Sequence, residues 1–168
     1  MLTQIWEFKG VKHRFTFFDG GSEKDYEPYT QSYAICFRDD GKIIIGKKPV
    51  GFDHWLIAGG TREKGEDCIK TLKREADEEL SLEIIKYKFI GAQKVEYLNI
   101  KKKPHYQLRY VAIVKEKKLK PDPDCGMMWE KKIIKPKDFL KYLKWGNIGE
   151  HLVKESVNWF EKEKKKKV

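Results

Sequence analysis

Between Gly60 and Leu82 the chain reads G-T-R-E-K-G-E-D-C-I-K-T-L-K-R-E-A-D-E-E-L-S-L, a stretch that leaves little choice of local structure. Asp67 is placed to cap a helix running to about Leu80, in which Ile69, Leu72, Ala76 and Leu80 recur at the spacing of one face and predict packing against a sheet. The opposite face is expected to hold the carboxylates, and Gly59-Gly60 to form a turn ahead of the helix. Within Arg74-Glu75-Ala76-Asp77-Glu78-Glu79, residues three and four apart share a face, so Glu75 stacks beneath Glu78 and Glu79. Three adjacent carboxylates repel one another, and an isolated helix gains nothing from them. They call for a compensating cation, and hard oxygen donors at this density suit Mg2+ or Mn2+ better than zinc. The competing account is a solvated Glu/Lys-rich face, its acids paired with Lys73, Arg74 or nearby lysines.

The same residues satisfy a longer spacing. A glycine, a glutamate six positions on, then R-E-U-x-E-E-x-G-U with U apolar, is matched by Gly60, Glu66, Arg74, Glu75, Ala76, Glu78, Glu79 and Leu82. The segment resembles the Nudix box, and the chain resembles a Nudix hydrolase of MutT-like character. A pattern this long is far more specific than a lone glycine motif. Two positions depart from the family. Ser81 replaces a glycine that closes the helix in a left-handed conformation, so a displaced helix exit is expected. Ala58 stands where proline is usual.

The resemblance implies an α/β/α sandwich with a mixed β-sheet, a Mg2+ (or Mn2+) cofactor and hydrolysis of a phosphoanhydride. It implies Glu78 and Glu79 as direct metal ligands, with the backbone carbonyl of Gly59 beside them. Glu66 is carried over as a supporting residue. Arg74 is carried over as an orienting one, its guanidinium fork holding neighbouring carboxylates. Glu75 has two alternative jobs: general base for the attacking water, as in MutT-like members, or metal ligand, as in others.

Substrate contacts are less explicit. Asn147 lies where MutT-like members carry a purine-reading asparagine, and Tyr97 where dinucleoside polyphosphate members carry a tyrosine. Arg62, Lys47 and Lys48 are candidate phosphate contacts. Each has a plain alternative, a turn asparagine or ordinary surface residues. Trp55, Tyr97, Tyr106 and Trp145 either stack on a base or fill the core. Asp122 and Asp124 either add a ligand or form a Pro-Asp turn, and the turn is preferred. Glu96 and Glu130 are further acidic candidates.

Around the box, Gln4 to Phe8 and Phe15 to Phe17 alternate like an N-terminal hairpin or pair of edge strands, and 1–31 reads as an N-terminal extension. Tyr33 to Phe37 and Lys42 to Gly46 read as central strands joined by an Asp-Gly turn. Trp55 to Ala58 is a short strand. Ile84 to Leu98 and Gln107 to Val114 are longer ones joined by a lysine-rich tip, and Trp129 to Ile134 is a further one. Helices are expected over Lys137 to Lys144, opened by Pro136, and over Gly149 to Lys162, with 163–168 as a frayed basic tail.

At 168 residues the chain reads as a single domain, 1–168. Its three cysteines are widely spaced and lack a C-x-x-C pair, arguing against a disulfide framework or zinc cluster and for a cytoplasmic setting. No secretory leader or membrane-spanning run is legible. A net charge of +10 fits a phosphorylated nucleotide as partner. Interleaved acids disfavour a continuous nucleic-acid track. Monomer and homodimer stay open. The leading expectation is a (d)NTP pyrophosphohydrolase, in the manner of enzymes acting on oxidised purine nucleotides, releasing nucleoside monophosphate and pyrophosphate. A dinucleoside polyphosphate, a nucleotide sugar or an RNA 5′ end are alternative substrates. A non-catalytic RNA-binding module on the same fold is the alternative of another class.

Overall fold

The structure is a computed structural model and describes residues 1–167. One twisted mixed sheet organises it, with strands in the order β1-β2-β7-β8-β3-β4-β5. β1 (Leu2–Phe8) and β2 (Val11–Asp19) form the expected hairpin, and β2 pairs antiparallel with β7 (Leu82–Tyr97), so the hairpin extends the sheet. β7 pairs antiparallel with β8 (His105–Glu116) across the lysine-rich tip. β8 runs parallel to β3 (Tyr29–Phe37), the one parallel pairing in the sheet order among the described residues.

The far side of β3 is shared. Its last residues pair with β4 (Ile43–Lys47), and its first half pairs with β6 (Ala58–Thr61). β5 (Trp55–Leu56) and β9 (Glu130–Ile134) both pair with β4. The sequence reading of one strand over Trp55 to Ala58 is therefore corrected: Ile57 separates two strands, because the chain leaves β4 and crosses to β3. Gly59 and Gly60 lie within β6, not in a turn.

Alternation along β3 divides the core. Ala34 and Cys36 face α1 (Cys68–Leu80), where Leu72, Ala76 and Leu80 are buried, while Ile35 and Phe37 face the other side. That second face is covered by α2 (Phe139–Leu143) and α3 (Gly146–Lys165) through Phe139, Leu143, Ile148, Leu152 and Phe160. Helix, sheet and helices make the expected α/β/α sandwich. β8 is buried on both faces from Leu108 to Val114, matching its nearly unbroken apolar run.

The closing helices differ from expectation. Pro136–Asp138 form a 3-10 turn, leaving α2 shorter than 137–144. α3 begins at Gly146, three residues early, and runs past 162. The basic tail is corrected in turn: Glu163 is buried and pairs with Lys86 and Lys166, and Lys164 Nζ reaches Asp39 Oδ1 at 3.0 Å. Val168 of that tail lies outside the described residues. No helix among them is long and apolar enough to cross a membrane.

Candidate active site

Asp67 caps α1 as expected, accepting from the backbone N–H of Lys70 at 2.8 Å. Behind it, the loop from Thr61 to Glu66 is gathered onto Arg74. Arg74 Nε meets Glu66 Oε1 at 2.6 Å, and Nη2 donates to Glu66 Oε2 at 3.1 Å and to the Thr61 carbonyl at 3.0 Å. Nη1 lies 3.0 Å from Glu75 Oε1 and 3.1 Å from Glu78 Oε2. Glu66 also accepts from Thr71 Oγ1 and from the Glu63 N–H. With Arg74 as its main partner, its carboxyl is held down to about 2 despite partial burial. Arg74 is correspondingly held above its ordinary range, chiefly by Glu66.

Gly59 and Gly60 let β6 press against two neighbours. A Cβ at Gly59 would lie 2.6 Å from Tyr33 Cα, and one at Gly60 would lie 2.5 Å from Glu75 Oε1. Only glycine leaves that room, and φ of +144° at Gly59 favours it as well. The Gly59 N–H donates to Glu79 Oε2 at 3.2 Å.

The expectation that the carboxylates oppose the sheet-facing stripe is corrected here. Glu75 is buried, while Glu78 and Glu79 are partly buried, because β6 lies along the flank of α1. Desolvation raises the Glu75 carboxyl above its usual range against the pull of Arg74. It raises Glu79 well above that range, with the Glu75 charge adding to the effect.

Among the described residues no three His, Cys, Asp or Glu side chains converge as a finished metal cage. Arg74 currently supplies the positive charge for Glu75 and Glu78, and Glu79 has no ion pair among the described residues. The donor chemistry fits a hard divalent cation: oxygen atoms only, closely spaced, and short of positive charge.

Ser81 meets its requirement directly. It takes the left-handed conformation (φ 53°, ψ 48°), and its N–H caps the Ala76 and Asp77 carbonyls, so the helix exit is not displaced. Its carbonyl and hydroxyl accept from the Lys117 and Lys120 N–H groups, anchoring the chain after β8. Asp122 is buried and occupied, accepting from Trp129 Nε1 at 2.7 Å and the Asp124 N–H at 2.9 Å, as a turn residue does. Asp124 is exposed. Glu96 pairs with Arg14 and Lys94, and Glu130 is exposed on β9.

On the α2/α3 side of the sheet a cavity of about 600 Å3 opens beside Tyr33, the residue against which Gly59 packs. Trp55, Trp145 and Lys47 line it, as the sequence allowed. The three named substrate candidates do not: Asn147 is exposed in the first turn of α3, and Arg62 is bound to the Glu66 carbonyl and stacked on Tyr29. Tyr97 sits with His13, His105 and Lys102 at the end of β7. Sequence reasoning missed Arg109, which is buried in the cavity wall. Its signal was a lone charge inside the apolar run from Leu108 to Val114.

A family model described as the NUDIX domain matches residues 29–155. Searching curated protein sequences finds no match. Among solved structures, a Bacillus subtilis pyrophosphohydrolase superposes with a TM-score of 0.66 at 17% identity, covering 98% of each chain. The MutT protein from Bacillus halodurans gives 0.52 at 19% identity, over 73% of this chain and 80% of its own. A C. elegans Ap4A hydrolase gives 0.53 at 17% identity, over 77% and 95% respectively.

Proposed function

Because the chain belongs to the Nudix hydrolase family, we propose that it is a Mg2+-dependent pyrophosphohydrolase that cleaves a (d)NTP to nucleoside monophosphate and pyrophosphate. The observation that carries this is the position of Tyr33: one strand residue abuts both Gly59, beside the carboxylates, and the aromatic cavity. Phosphates directed at the box then leave a base within reach of the cavity.

Glu78 and Glu79, with the Gly59 carbonyl, would hold Mg2+, which leaves Glu75 for the other of its two alternative jobs. When bound, the ion screens phosphoryl charge and makes a water more nucleophilic. Glu75, raised by its burial, is suited to take the proton from that water. The water oxygen joins phosphorus as the bridging P–O bond breaks. Arg74 keeps Glu75 and Glu78 in place through its fork and does not touch substrate. Lys47 and Lys48, bordering the adjoining concavities, offset phosphate charge. The reading carries with it a cytoplasmic setting and a phosphorylated nucleotide as partner. A purely RNA-binding role would tolerate a damaged box, and Glu66, Arg74, Glu75, Glu78 and Glu79 are all present.

Glu79→Gln tests the ligand assignment. Turnover in Mg2+ is expected to fall about a thousandfold, the scale of several kcal/mol of charge stabilisation. Melting temperature should hold or rise, since an ill-solvated charge is removed. A folded variant with wild-type turnover would sink the assignment.

A second concavity of about 550 Å3 shares Lys47, Phe52, Asp53 and His54 with the first. Two adjoining spaces favour, as a second reading, a substrate with two nucleosides, such as a dinucleoside polyphosphate or an RNA 5′ end. Product identification across a substrate panel separates the two.

A further inference from the structure

The loop from Lys48 to His54 joins β4 to β5 and makes no backbone–backbone hydrogen bond among the described residues. Val50, Gly51, Asp53 and His54 are exposed, and Gly51 holds a φ of +82° with open space around it. Side chains do the fastening. The Lys47–Asp53 pair, 2.7 Å long, is open to water and holds weakly. The firmer grip is on the N-terminal hairpin. Phe52 packs on Phe8 with ring centroids 5.5 Å apart, and His54 lies 5.6 Å from Phe8 and 6.3 Å from Trp6.

This clasp stands between two spaces. β1 supplies Gln4 and Trp6 to the wall of the first cavity and Phe8 to the wall of the second concavity, while Phe52 and His54 border both. The rings therefore form a partition, with about 600 Å3 on one side and about 550 Å3 on the other. Each space is of small-molecule size. Lys9, Lys47 and Lys48 outnumber Asp53 and Glu130 around the second one, and Lys9 Nζ lies 5.3 Å from the Phe8 ring. That space is suited to an anionic ligand with an aromatic part.

A loop with few buried contacts and no backbone bonds opens before the sheet beneath it does. What it loses on opening is ring-to-ring contact. A mononucleotide seated in the first cavity has its only base there and cannot replace that contact. A second base can, by stacking on the Phe8 face that Phe52 gives up, while Lys9 and Lys48 offset the phosphate charge beside it. A ligand shifts a two-state element only by binding one state better, and here the open state is the one a second nucleoside binds better.

We propose that Phe52 and His54, clasped on Trp6 and Phe8, form a movable partition that sets substrate size. Closed, it confines one nucleoside to the first cavity; open, it joins the two concavities into a trough that admits a second nucleoside. This deepens the nucleotide reading above, rests on it for the reaction, and makes its two substrate readings two states of one loop. Trp6 and Phe8 lie outside the stretch matched by the family model, so the size filter belongs in part to the N-terminal hairpin.

The test is a ratio of affinities, diadenosine tetraphosphate over ATP, measured by calorimetry without divalent metal. A 5′-triphosphorylated dinucleotide is run alongside, and a shift for either two-nucleoside compound supports the proposal. Phe52→Ala removes the loop's half of the clasp and leaves Phe8 free to stack, so the ratio should rise about tenfold, the scale of one or two aromatic contacts. His54→Phe sets a more apolar ring against Trp6 and Phe8, holds the loop shut and should lower the ratio. A ratio within about twofold of wild type for both compounds in folded Phe52→Ala, or a shift of the same sign in the two variants, overturns the proposal. Should Phe52→Ala fail to fold, an unchanged or raised ratio in His54→Phe overturns it instead. Turnover of the same compounds in Mg2+ is followed separately. Hydrolysis with unmoved ratios overturns the partition and leaves the hydrolase reading standing; shifted ratios without hydrolysis of any compound do the reverse.

Discussion

Arg74 and Arg109 are both largely removed from water, yet their surroundings are opposite. Arg74 meets Glu66, Glu75 and Glu78 within 3.1 Å, with Glu63 farther off at 3.7 Å, and is held above its ordinary range. Arg109 has two aromatic faces and one amide oxygen, and burial pulls it down to about 10. Arg74 spends its donors inside the chain, so its work is to hold the box loop on its helix. Arg109 leaves Nε and Nη1 without a hydrogen-bond partner among the described residues, so its charge is poorly compensated where it lies. The difference teaches that an arginine's role is read from what its donors still lack.

Arg74→Met gives the largest effect. It keeps an aliphatic stem but strands three carboxylates, and loss of one partner from a buried charge cluster costs about 3–5 kcal/mol. Denaturant unfolding without divalent metal measures this, and a loss below 1 kcal/mol would show that the cluster is held by something other than Arg74. The same variant has a signature in acid. Glu66 is depressed from 4.5 to about 2 in the folded protein, so its stabilisation is complete above the ordinary carboxylate value and fades as pH falls through that window. The deficit of Arg74→Met relative to wild type is therefore expected to shrink between about pH 4.5 and 2. A deficit constant across that window would mean the Glu66–Arg74 pair contributes little.

These two arginines also mark what could be read from the chain. Arg74 was legible because its partners Glu66 and Glu78 lie within eight residues, and helical spacing plus the Asp67 cap puts them together. The sheet layers were legible for a similar reason, since alternation along β3 and the apolar run of β8 are local. The burial of Glu75 was not, because helical periodicity ranks faces relative to one another and does not say that β6 lies along one flank. Gly59 and Gly60 looked like a turn by composition, although close approach to Tyr33 and Glu75 is what demands them. Likewise Glu163 is buried by a partner 77 positions away, so a lysine-rich tail concealed a packed helix end. Gln4, Tyr33 and Arg109 come from three different strands and Trp145 from the turn between α2 and α3, and no periodicity connects them.

Arg109→Met is expected to produce the smallest stability change, and of opposite sign. Methionine fills similar volume between Tyr33 and Trp145, removes two buried nitrogens that have no partner among the described residues and leaves one acceptor, Gln107 Oε1, still served by Gln93. Replacing a poorly compensated buried charge with an apolar side chain is commonly neutral or stabilising, here by about 1 kcal/mol. Thermal unfolding of the two methionine variants side by side thus sets a gain against a loss. If Arg109→Met instead falls by the 3–5 kcal/mol expected of Arg74→Met, its donors are satisfied within the folded chain. The contrast between the two arginines would then be lost.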